Sequence, residues 1–74
     1  MDIRIKFGNR IREIRKNKLL SQENLANLAE IDRTYMPDIE KGKTAVSIVI
    51  IEKLAIALGV TVKELFHFEE DNSK

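Results

Sequence analysis

SQENLANLAEIDRTYMPDIEKG, residues 21–42, decides the fold. It reads as two short helices joined by a tight turn. Ser21 is a good N-cap for the first, and Leu25, Leu28 and Ala29 give that helix a narrow apolar stripe. Ala26 is small enough for another helix to approach closely. Asp32 is the next cap, Met36, Ile39 and Tyr35 carry the apolar spacing of the second helix, and Gly42 stops it. Glu30-Ile31-Asp32 forms the turn, with Glu30 expected at positive φ and Ile31 plugging the space between the helices. Two helices this short do not bury enough surface alone, so the rest of the chain must supply a scaffold.

Pro37 is the discordant residue. Counted from an Asp32 cap it falls in a helix interior, where the missing N–H and the ring crowding the Arg33 carbonyl cost about 3 kcal/mol. It also pushes Met36 away from helical angles. Either an irregular or 3₁₀ turn precedes a helix that starts near Pro37, or one continuous helix bends there. The bent, mostly helical element is the expectation.

Outward from this stretch the pattern stays helical. Ile3, Phe7, Ile11 and Ile14 make a stripe over residues 3–18, with Arg4, Lys6, Arg10, Arg12, Arg15, Lys16 and Lys18 on the other faces. This is a solvated basic face, and its end, from Arg15 to Lys18, is a candidate neighbour of a phosphate backbone. Leu19 and Leu20 follow without a glycine, so the helix is expected to close on a left-handed Asn17, the cheaper choice, or Lys18. Residues 43–46 read as a loop, and Ser47 caps a helix over residues 48–58 closed by Gly59. Its core stripe is Ile48, Ile51, Leu54, Ala55 and Leu58. Val49, Ile50 and Ile56 are apolar residues off that stripe, which predicts a self-association face. Thr61 to Glu64 is a capping box opening a short last helix, where Phe66 and Phe68 extend the apolar patch. His67 reads as a surface or interface side chain, and residues 69–74 as a polar, frayed tail after a single domain at 1–68.

The chain has 74 residues, no cysteine, one histidine and a net charge of +1. That size makes one small domain with a marginal core and no disulfide or thiolate staple, which favours a dimer. With one imidazole and no thiol, neither metal nor cofactor is expected. The glycines at 8, 42 and 59 form no phosphate-cradling loop and no nucleophile stands beside a base, so the chain is not expected to be an enzyme. Glu40 and Glu52, next to lysines, read as surface pairs. No apolar run approaches a membrane span and residues 1–8 lack a signal pattern, so a soluble cytoplasmic protein is expected. Charge divides unevenly: residues 1–43 hold ten Lys/Arg against seven Asp/Glu, residues 44–74 three against five. The half with the two-helix stretch is thus the basic one, as a polyanion partner requires.

A helix pair of this kind reads DNA when its second helix presents basic and short polar side chains from its N-terminal end. Arg33, Thr34 and Tyr35 are such a set: guanine offers arginine two acceptors, and threonine brings a hydroxyl and a methyl. Gln22 would meet a phosphate with its amide beside free backbone N–H groups, and Lys41, Lys43 and Thr44 lie where the backbone would run. SQENLA, then IDRTYMPDIEKGK, then IEKLAIALGVTVKELF resemble the Xre family of lambda-repressor-like helix-turn-helix proteins over residues 7–66. The resemblance implies an all-α, compact five-helix DNA-binding domain whose helices 2 and 3 form the helix-turn-helix. Within that family the length and the DRTY sequence resemble the controllers of restriction–modification systems, which are dimers acting on palindromic operators. It places Arg33, Thr34 and Tyr35 on base-reading positions, Gln22 and Lys43 on backbone contacts, and dimerisation on the last two helices. Three positions depart from the pattern: Leu19 and Glu30 stand where glycine is usual, and Pro37 where a helix-compatible residue is.

The expected function is a homodimeric transcriptional regulator on an inverted-repeat operator, with RNA polymerase a candidate partner through Glu23 and Glu30. A phage-type repressor, and an antitoxin- or adaptor-like interaction module using the apolar flank of residues 49–56, are the alternatives.

Overall fold

A computed structural model describes residues 1–68; the tail expected at 69–74 lies outside the described residues. Five α-helices follow one another: α1 Ile3–Asn17, α2 Gln22–Ala29, α3 Met36–Lys41, α4 Ile48–Leu58 and α5 Val62–Leu65. A 3₁₀ turn, Arg33–Tyr35, leads into α3. Four of the five helix starts are set by a side chain, the exception being α3, which follows directly on the 3₁₀ turn. Asp2, Ser21, Ser47 and Thr61 accept hydrogen bonds from the backbone N–H groups of Arg4, Asn24, Ile50 and Glu64. Thr61 and Glu64 form the expected reciprocal capping box.

The core is one cluster. Phe7, Ile11 and Ile14 of α1 meet Leu25, Ala26 and Ala29 of α2, Met36 and Ile39 of α3, Leu54, Ala55 and Leu58 of α4, and Leu65 of α5. Three residues expected in the stripes lie outside it: Ile3, Leu28 and Ile48 are exposed, Ile48 at 82%. Ile3 and Ile48 are the first residues of their helices. In α2 the buried face is 25, 26 and 29, which leaves residue 28 on the rim.

Among the described residues two that are not glycine are left-handed, and only one is where expected. Glu30 closes α2 at φ 59°, as anticipated, and Ile31 packs against the core behind it. The end of α1 differs: Asn17 is still helical, Lys18 has φ −95°, and the left-handed residue is Leu19, φ 60°. The helix runs on because the Lys18 N–H still reaches the carbonyls of Ile14 and Arg15, and the Leu20 N–H that of Arg15. Leu19 is then reversed and left 91% exposed.

Pro37 does not bend a continuous helix. The 3₁₀ turn ends before it, and Pro37 occupies the first turn of α3, where a missing N–H deprives the helix of nothing. Met36 keeps helical angles, φ −61° and ψ −45°, despite preceding a proline. Its side chain is fully buried, and that packing overrides the local preference.

α3 lies hard against α1. At Gly8 a Cβ would overlap the carbonyl oxygens of Ile39 and Glu40, so only glycine allows this approach. Gly42, φ 74°, ends α3 against the backbone and side chain of Ile5, fixing its far end as well.

Candidate nucleic-acid interface

The interface candidates start at Asp32. Its carboxylate accepts from the Thr34 N–H at 2.9 Å and from Thr34 Oγ1 at 2.8 Å, which holds the 3₁₀ turn and turns residues 33 and 34 outward. Those donors keep the Asp32 carboxyl below the usual carboxylate range. Arg33 and Thr34 are exposed, whereas Tyr35 is half-buried against the core. Arg33 leans back over the turn, where its Nη1 donates to Glu23 Oε2 of α2 at 3.0 Å, both side chains remaining exposed.

Near the far end of α3 lies a buried ion pair that the spacing of charges did not reveal. Arg15 Nε and Nη2 donate to Glu40 Oε2 and Oε1 at 2.7 and 3.0 Å, and Arg15 Nη1 donates to the Leu20 carbonyl at 2.8 Å. Gln22 Nε2 donates to Glu40 Oε1 at 3.1 Å. Glu40 is thus a buried member of a network joining α1, α2 and α3, not the surface partner of a neighbouring lysine. Arg15 is equally withdrawn, which removes it from the basic face. An Arg15 or a Glu40 in isolation carries no mark of this partnership. Its only sequence signal is a carboxylate inside α3 one residue from the apolar Ile39.

Gln22 therefore spends one of its two amide N–H donors on Glu40, which leaves the second for another acceptor. It lines a shallow hollow of about 250 Å³ with Arg12, Lys16, Pro37 and Lys41, over the buried Arg15–Glu40 pair. Three exposed cations from two helices thereby meet at this hollow; Lys16 falls in the 15–18 stretch expected near a phosphate backbone, whereas Arg12 was not among the residues selected from the sequence. Lys43 is exposed and Thr44 half-buried in the loop after α3. The Lys43 N–H is spent on the Asp38 carbonyl at 2.9 Å, which leaves its side chain for contact.

The residues expected to self-associate separate into two groups. Val49 and Ile56 are exposed, Ile56 at 73%, and Phe66 is at the edge of exposure. Ile50 is half-buried against the core. Phe68 folds inward instead of extending the patch: it is buried, edge-on to Phe66 at 6.1 Å between centroids, with Lys6 Nζ 5.8 Å from its ring centre. Phe66 in turn stacks on Phe7 at 5.1 Å. Among the described residues no helix is long and apolar enough to cross a membrane.

A capped turn between two short helices, an exposed arginine and threonine at the tip of the second, and a helical brace behind them define a helix-turn-helix protein. The helix-turn-helix family model HTH_3 matches residues 11–65, and the chain belongs to that family, in its Xre-like form. Among its relatives, the control protein C.MunI of a Mycoplasma species is 50% identical over 66 residues, covering 88% of this chain and 89% of that one. The control protein C.BamHI of Bacillus amyloliquefaciens is 47% identical over 68 residues, 90% and 84% of the two chains. The crystal structure of the restriction–modification controller C.AhdI from Aeromonas hydrophila superposes with a TM-score of 0.82 at 52% identity, covering 84% of this chain and 94% of that chain.

Proposed function

We propose that this chain is the controller of a restriction–modification system: a cytoplasmic homodimer that binds an inverted-repeat operator and regulates transcription from it. The observation that carries the reading is the exposed Arg33–Thr34 tip, leading into a helix that the buried Arg15–Glu40 pair ties to α1, in a chain half identical to control proteins. Arg33 reads a base edge, and Thr34 contributes its methyl group and the acceptor capacity of a hydroxyl already donating to Asp32. Tyr35, half-buried, reaches the duplex with its phenolic end only. Gln22, Arg12, Lys16, Lys41, Lys43 and Thr44 meet the sugar–phosphate backbone on either side. Self-association through Val49, Ile56 and Phe66, with Ile50 beneath them, sets two tips roughly 34 Å apart, one turn of the duplex. Glu30, exposed on the turn, is the acid left for a contact with RNA polymerase.

The test is a titration against an inverted repeat, selected by the protein from a randomised duplex pool, beside its scrambled counterpart. At about 150 mM salt the repeat is expected to bind far more tightly, with affinity falling steeply as salt rises. Equal affinity for both duplexes would overturn the reading. The exposed apolar side chains of α4 also suit an adaptor that grips another protein. Mass in solution separates the two, since a clean dimer fits the controller and a monomer the adaptor.

A further inference from the structure

The Arg33–Glu23 contact has a consequence for how sequence is read, if Arg33 reads DNA as proposed above. Glu23 is the second residue of α2, and Arg33 opens the 3₁₀ turn before α3, so the pair spans the two arms of the helix-turn-helix. Because its carboxylate touches the Arg33 guanidinium, Glu23 lies beside whatever that guanidinium meets in this position. An exposed pair of this kind adds little to stability in water. Against a duplex the situation changes, since a carboxylate brought among phosphates is repelled and partly dehydrated unless a donor matches it.

We propose that Glu23 is a specificity-determining, positioning residue: it aims Arg33 at a guanine and penalises duplexes lacking a guanine there. The contact uses Nη1 of Arg33, which leaves the edge formed by Nε and Nη2 for guanine O6 and N7. Held at one end, the long side chain is restrained from swinging to a phosphate, the sequence-blind alternative. A guanine compensates both groups, because Arg33 keeps Glu23 on one nitrogen and the base on two others. The amino group of a neighbouring cytosine is a second donor that the carboxylate can accept from. Without the guanine, Glu23 is left as a negative charge beside the backbone with little gained in return, a repulsive element of the kind specific interfaces employ.

The experiment is parallel selection from a randomised duplex pool by the parent, Arg33→Ala, Glu23→Gln and Glu23→Asp. Arg33→Ala marks the base pair that Arg33 reads by losing its preference. At that base pair the parent is expected to discriminate on the order of tenfold or more. Glu23→Gln is expected to lose most of this preference while keeping the rest of the repeat, and to bind scrambled duplex more tightly than the parent. Glu23→Asp keeps the charge but is too short for the contact, so its preference should blur without a rise in scrambled binding. Unchanged preference at that position in both Glu23 variants would overturn the proposal while leaving the DNA-reading function standing. A parent that enriches no sequence would overturn that function, and this inference with it.

Discussion

Arg33 and Thr34 share one turn but differ in how they are held. Thr34 is tied twice to Asp32, whereas Arg33 is anchored at its far end by a residue of another helix. Replacing Arg33 with alanine is expected to weaken operator binding by about 1–3 kcal/mol and to relax preference at one base pair. The thermal midpoint should barely move, because the side chain is exposed and supports nothing in the core; a midpoint falling with affinity would contradict this. These two residues were legible in the sequence because their exposure follows from local chemistry, a capping aspartate directly after a turn. Phe68 was not. Its inward position depends on Phe66, itself stacked on Phe7, and on Lys6 of α1 closing over it, and two phenylalanines past the end of a short helix leave the direction of their side chains open.

At the scale of the element, helix ends carry the strain and the pH response. Leu19 holds a left-handed conformation that costs an ordinary side chain about 1–2 kcal/mol. Leu19→Gly should recover part of that, less the roughly 0.5–1 kcal/mol of chain entropy that glycine brings. A rise in thermal midpoint of a few degrees is the expected result, and a fall would show that the exposed leucine has a packing role. Three caps respond to acid. The Arg4 guanidinium and N–H hold the Asp2 carboxyl down from 3.8 to about 2, and the Thr61 N–H lowers that of Glu64 as the Thr34 donors lower Asp32. With folded-state values depressed, these carboxylates stabilise the helix ends at neutral pH. That stabilisation is lost as pH falls through the depressed values, between about 4 and 2 for Asp2. Far-UV dichroism should show fraying across that acidic window and a flat response from pH 5 to 7. Capping residues and helix-stop glycines act through their own backbone, which is why Ser21, Ser47, Gly42, Gly59 and the capping box could be read in advance. The start of α3 could not, because the burial of Met36 decides it.

For the whole molecule the deciding feature is the Arg15–Glu40 pair, which joins residues 25 apart and also holds Leu20 and Gln22. Glu40→Ala leaves a buried guanidinium without its counter-charge, at a cost of about 3–5 kcal/mol. A core of this size rarely supplies more than about 3–5 kcal/mol, so the variant should be largely unfolded by moderate heating. Arg15→Met combined with Glu40→Leu should lose less, since an apolar pair fills the space without stranding a charge. Equal midpoints for Glu40→Ala and the parent would refute the account. Ile56→Glu places a charge on the exposed flank of α4, and sedimentation should then show a shift from the proposed dimer toward monomer with helicity retained. The five-helix order was legible from periodicity and caps. The long-range pair was not, because charged residues in a basic helix look alike until another helix selects one of them.

Gly8 leaves less than the width of a methyl group between α1 and the carbonyls of residues 39 and 40, so α3 is seated hard against its support. A protein built this way behaves as a stamp rather than a glove. On the proposed inverted repeat, two such stamps facing halves slightly out of phase would draw the compliance from the nucleic acid, through unwinding or curvature in the stretch between the halves.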